Sequence, residues 1–143
     1  MPASPSDPSD SKPFCRPSVV PARRWDGRTD KQGDRGFRLV SEPGDGVLTQ
    51  LPIYPPFLMV IDGSNRRRIE NPLVDDGTRF TVDIEGMRKA ADAGTKVILL
   101  CSPHNPTGRV FTREELQAIG DLAVERDMII VCDEIHADLT YPD

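Results

Sequence analysis

No apolar run in this sequence approaches the ~18 residues that a membrane-crossing helix needs. The reading at this stage is therefore of a chain that does not span a membrane. The N-terminus lacks the basic-then-apolar order of a secretory signal. Cysteine is scarce: Cys15, Cys101 and Cys132 share no close spacing and form no CxxC pair. That pattern argues against a disulfide framework and against a zinc or other metal site. Cys101 and Cys132 fall within apolar runs, where a reduced cysteine packs as a small hydrophobe. A reducing compartment, the cytoplasm, is expected. No basic face is concentrated enough for a nucleic-acid binder, and the net charge is -5. The densest basic cluster, Arg66-Arg67-Arg68, reads as a solvated strand end. No internal repeat occurs.

Proline is unevenly spread. Residues 1–35 hold six of the 14 prolines and almost no apolar periodicity. Such a segment buries too little to offset its ordering entropy, so it reads as disordered or foreign to the domain. The domain itself is expected over 36–143.

From Phe37 onward strands and helices alternate. Val47–Leu51 is a strand behind the turn signal Glu42-Pro43-Gly44-Asp45-Gly46. Tyr54-Pro55-Pro56 can open a helix, because proline suits a first helical turn. Arg67–Asn71 reads as a second, short strand. Asp83 caps a helix expected to run to about Ala93, stopped by Gly94, with Ile84, Met87, Ala90 and Ala91 on its apolar face. Lys96–Cys101 (KVILLC) and Met128–Cys132 (MIIVC) are near-continuous apolar runs, which suits parallel strands covered on both faces. Between them Thr112-Arg-Glu-Glu115 spells a capping box. The helix behind it carries Leu116, Ile119, Leu122 and Ala123 as its stripe.

Residues 96–133 thus form a βαβ unit with parallel strands. In open α/β sheets ligands bind beyond the carboxyl ends of the strands. The segments at those ends are Ser102-Pro-His-Asn-Pro-Thr-Gly-Arg109 and Asp133-Glu-Ile-His136. Two prolines stiffen the backbone around Asn105, and either Ser102–Pro103 or Asn105–Pro106 is a candidate cis bond. By itself the first segment also reads as an ordinary strand-to-helix loop. The second also reads as a helix N-cap with a hydrogen-bonded histidine. Asp-Glu-Ile-His after an apolar strand invites a nucleic-acid helicase reading, but no Gly-Lys-Ser or Gly-Lys-Thr phosphate loop exists anywhere in the chain.

Taken together, EPGDGVLTQLPIYPPF at 42–57, LLCSPHNPTGRVFTREEL at 99–116 and VCDEIHADL at 131–139 resemble the large domain of fold-type I pyridoxal 5′-phosphate (PLP) enzymes. The resemblance is to the class I/II aminotransferase superfamily, and within it to the cystathionine β-lyase-type C–S lyase branch. It implies an α/β fold, a partial three-layer PLP-transferase large domain with mainly parallel strands. It implies PLP as cofactor, with Asp133 at the pyridine nitrogen and Asn105 near the ring oxygen and the substrate carboxylate. Tyr54 would stack on the ring and His136 would lie near the same oxygen. The implied reaction is β-elimination from a sulfur amino acid, with amino transfer as the alternative. Implied partners are a small amino-acid substrate and a second subunit in a homodimer.

The same resemblance expects a Schiff-base lysine well downstream of Asp133. Only ten residues follow Asp133, none of them lysine, and Lys12, Lys31, Lys89 and Lys96 all precede the motif. It also expects a phosphate-binding loop where residues before 36 are charged and proline-rich. The expectation is a piece of a larger enzyme, inactive by itself and with no catalytic residue of its own. A non-catalytic fragment or interaction module is the reading from another class.

Overall fold

A computed structural model of the chain describes residues 39–140. The expectation of disorder over 1–35 lies outside those residues. Among the described residues, from Gly46 onward, six strands and three helices follow in order: β1 Gly46–Leu51, α1 Pro55–Gly63, β2 Arg67–Pro72, β3 Val74–Asp75, β4 Phe80–Thr81, α2 Ile84–Ala90, β5 Thr95–Cys101, α3 Arg113–Glu125 and β6 Ile129–Asp133. A short 3-10 turn, Ala137–Leu139, comes last. β2, β1, β5 and β6 form one sheet in that spatial order, with every neighbouring pair parallel. The α/β reading, and the βαβ unit β5–α3–β6 within it, match this architecture.

Continuous apolar strands are what a sheet covered on both faces requires, and the packing shows two such faces. Leu48, Ile98 and Leu100 point to one side, against Met87 and Ala91 around α2 and Ile119 and Leu122 of α3. Val47, Val97, Leu99 and Cys101 point to the other, against Phe57 and Ile61 of α1. The result is three layers, helix–sheet–helix. Each fully buried Leu, Ile or Met contributes ~1.5–3 kcal/mol through removal from water. β1 approaches its neighbours so closely that a Cβ on Gly46 would stand 2.6 Å from Ile69 Cδ1 and 3.0 Å from Thr95 Cα.

Two expectations need correction, and one element was not foreseen. α2 ends at Ala90, not near Ala93, because Asp92 turns the chain: its carboxylate accepts from the Gly94 N–H (2.9 Å) and the Thr95 hydroxyl (3.0 Å). Arg66 is not part of a solvated strand end. It is buried, and its guanidinium donates to Ser41 Oγ at 3.2 Å and to the carbonyls of Ser41 and Ser64. Only Arg67 and Arg68 face solvent. The hairpin β3–β4, with its Asp76-Gly77 turn, escaped detection because two-residue strands carry no readable alternation.

The parallel sheet places the carboxyl ends of β1, β5 and β6 along one edge. Tyr54, the Ser102–Arg109 loop and Asp133–His136 all follow those ends.

Gly46→Ala is expected to destabilise the chain by about 1–3 kcal/mol through overpacking at the β1 seam. Gly63→Ala, where an added Cβ meets nothing within 4 Å, is expected to be neutral or slightly stabilising. Urea midpoints of the two variants check the opposite signs. Equal midpoints would contradict the close approach at Gly46.

Candidate functional site

The loop after β5 is held from beneath. Ser102 N–H donates to the Asp133 carbonyl at 3.0 Å, tying the loop's first residue to the end of β6. The bonds before Pro103 and Pro106 are both cis. His104 N–H donates to the Arg109 carbonyl (2.8 Å) and Gly108 N–H to the His104 carbonyl (2.7 Å), closing a tight ring around Asn105. Gly108 has φ +70°, a conformation that glycine adopts without the steric cost a Cβ imposes. His104 is 1% exposed. Its Nδ1 lies 2.9 Å from the Thr107 hydroxyl, and its ring rests 5.5 Å from that of Phe111. Burial pushes the imidazole down to about 4, and the nearby Arg109 charge acts in the same direction. At neutral pH His104 is therefore an uncharged strut.

Arg109 connects this loop to the rest of the molecule. Its guanidinium lies 4.9 Å over the Phe111 ring, donates to the Phe80 carbonyl and forms a bidentate pair with the Glu115 carboxylate. Glu115 also accepts from the Thr112 N–H (2.9 Å), completing the capping box of α3, and from the Val82 N–H (3.1 Å). Burial by itself would raise the Glu115 carboxyl. The donors from Arg109, Thr112 and Val82 outweigh it and hold the group below its ordinary value of 4.5.

Across the seam, Asp133 ends β6 opposite Cys101. Its Oδ1 accepts from the Ile135 N–H at 3.0 Å, and its Oδ2 lies 3.9 Å from Cys101 Sγ. Among the described residues no lysine or arginine forms an ion pair with this half-buried carboxylate. A cavity of about 580 Å³ opens between the two segments, walled by Pro103, Pro106, Val110 and Leu139, with Asn105, His104, His136 and Thr140 as its polar residues.

Of the four residues singled out from sequence, Asn105 and His136 line this cavity together. Asp133 lies beside it, linked to the Asn105 loop through Ser102 and Cys101. Tyr54 is at the same sheet edge, beyond β1, where its half-exposed ring meets Phe57 edge-on at 5.8 Å; it is not among the cavity's lining residues. Sequence reasoning left Arg109 without a role, although Glu115 six residues on is a signal for it. It read Cys101 as core alone, because its place opposite Asp133 depends on the strand register.

Residues 32–143 match the model of the family Aminotransferase class I and II. Cystathionine beta-lyase PatB of Bacillus subtilis is 39% identical over 100 residues, an alignment covering 69% of this chain and 26% of that protein. Cystalysin from Treponema denticola, whose crystal structure contains a PLP cofactor, superposes with a TM-score of 0.73 at 40% identity. That match covers 77% of this chain and 28% of cystalysin. N-succinyldiaminopimelate aminotransferase from Mycobacterium tuberculosis superposes with a TM-score of 0.69 at 34% identity, over 72% of this chain and 27% of that one. The chain spans about a quarter of the length of these relatives. Among the described residues no helix is long and apolar enough to cross a membrane.

Glu115→Gln is expected to cost about 2–3 kcal/mol at pH 7, since it breaks a nearly buried charged pair. The native carboxyl titrates below 4.5, so the wild-type advantage is complete above that value and fades as pH falls through the lowered native value. Urea titrations of both proteins from pH 7 to pH 3 read this as converging curves; parallel curves would contradict it. His104 adds a separate loss of wild-type stability as pH falls from 6.5 towards about 4. His104→Gln should remove that part.

Proposed function

The chain belongs to the aminotransferase class I and II family, and we propose that it forms part of the PLP-binding large domain of a C–S β-lyase. The observation that carries this reading is the Asp133 carboxylate. It is half-buried at the end of a parallel strand, and no cationic side chain pairs with it among the described residues. A carboxylate so placed suits a cationic ring nitrogen. The cavity beside it offers hydrogen-bonding groups, Asn105 and His136, between apolar walls. These residues fit PLP.

Asp133 would hold a proton on the pyridine nitrogen, with its own carboxylate kept in place by the Ile135 N–H. Asn105 would donate from its amide to the ring oxygen, on a loop that His104 and Arg109 keep from relaxing. His136 would reach the same oxygen from the other wall. Tyr54 would cover one ring face and exclude water from it. When bound, the cofactor supplies the electron sink for charge that develops at the substrate's Cα. Lys89 and Lys96 are exposed and do not line the cavity. The base at Cα belongs to parts of the enzyme other than these.

The reaction we propose is elimination from a sulfur amino acid such as cystathionine. The Cβ–S bond breaks, a thiol leaves, and water releases ammonia and a 2-oxo acid. His136 at this position, together with the identity to a cystathionine beta-lyase and to cystalysin, favours elimination. The likeness to N-succinyldiaminopimelate aminotransferase favours amino transfer as the second reading.

A co-expression assay tests this. The chain is supplied with a separately encoded C-terminal portion of a C–S lyase relative, PLP and L-cystathionine, and thiol release is followed. Release is expected, and Asp133→Asn should lower it about 10–100-fold, the scale of a lost charged hydrogen bond. Amino transfer to 2-oxoglutarate without thiol release would shift the assignment to aminotransferase. An Asp133→Asn rate equal to wild type would sink both.

A further inference from the structure

Cys101 is 1% exposed, ends β5 and stands directly opposite Asp133 in the β5–β6 register. Two acceptors lie within reach of its sulfur. The Pro103 carbonyl lies 3.4 Å away and Asp133 Oδ2 3.9 Å away. A thiol has one proton to give and weak acceptor capacity. That proton has two acceptors in reach, the Pro103 carbonyl and Asp133 Oδ2. One side chain thus touches the backbone of the Asn105 loop, at Pro103, and the carboxylate of Asp133.

We propose that Cys101 is a positioning residue of this site, its buried sulfur setting the loop that carries Asn105, through the Pro103 carbonyl, and the Asp133 carboxylate relative to each other across the β5–β6 seam. This rests on the assignment of Asn105 and Asp133 to the cofactor.

The protonation state is consistent with that role. Burial pushes the thiol up to about 11, and the Asp133 carboxylate acts in the same direction. A neutral thiol can lie beside a carboxylate, whereas a thiolate would repel it. Asp133 Oδ1 is already held by the Ile135 N–H. The thiol stands 3.9 Å from the other oxygen, so each carboxylate oxygen has a donor group beside it. Cys132, by contrast, packs on the opposite face of the sheet, its sulfur 3.8 Å from the exposed Glu134 carboxylate.

The test uses the ¹⁵N-labelled 143-residue chain and pyridoxamine 5′-phosphate, which carries no aldehyde to react with surface lysines. The Asn105 and Ile135 amide resonances report the two sides of the seam. Saturable shifts over 102–109 and 133–136 are expected for wild type. Cys101→Val, close in volume but without a polar atom, should displace both resting amides and weaken binding about three- to tenfold. Cys101→Ser, which keeps a donor and acceptor, should bind within about twofold of wild type. Cys101→Ala supplies the same comparison if the valine variant does not fold. Saturable wild-type binding with Cys101→Val unchanged in affinity and in both amides would overturn the positioning role alone. A wild-type chain that shows no saturable shift would overturn the cofactor assignment and this proposal with it.

Discussion

Much of the site depends on a single carboxylate, Glu115. It caps α3 through Thr112, receives the Val82 N–H from the segment before α2, and holds both ends of the Arg109 guanidinium. Arg109 in turn closes the loop through the His104 N–H and covers Phe111. Both partners of the pair are nearly buried, their side chains 11% and 15% exposed. Screening by water is weak there, and neither charge could be left unpaired cheaply. The loop that carries Asn105 is therefore braced by the same residues that start the next helix.

Around the cavity the arrangement avoids further charge. His104 is kept neutral by burial and Cys101 is kept as a thiol. His104 and Asn105 come from the Ser102–Arg109 loop and His136 from the segment after β6. Asp133 is left as the strand-end carboxylate with no ion-pair partner among the described residues, and on the proposed reading a cationic ring would complete it. A site of this kind discriminates by where one negative charge is placed in weakly screened surroundings. That placement in turn depends on strand register.

Much of this was readable from residues in order. Unbroken apolar runs announced β5 and β6, and their length and flanking turn residues located them to within a residue. The capping box spelled by Thr112 and Glu115 located α3, because the two side chains that satisfy its first amides lie within one turn. α2 was expected three residues too long, because Gly94 was read as its stop while the actual breaker is the Asp92 side chain bonding forward. Arg66 was misread because nothing local tells a buried guanidinium from its solvated neighbours; its acceptors come from Ser41 and Ser64.

The division between sequence and tertiary structure follows the range of the interactions. Apolar periodicity, caps and turn residues act over a few positions, so the sequence by itself determined the α/β order, the βαβ unit and the two segments at its strand ends. Contacts between Cys101 and Asp133, Arg109 and Phe80, or Glu115 and Val82 join residues 29 to 33 positions apart. They exist only once the strand order β2-β1-β5-β6 and its register are set. The tertiary structure alone therefore decided that Asn105 and His136 share a cavity, that Asp133 stands beside it, and that Tyr54 stays one strand away.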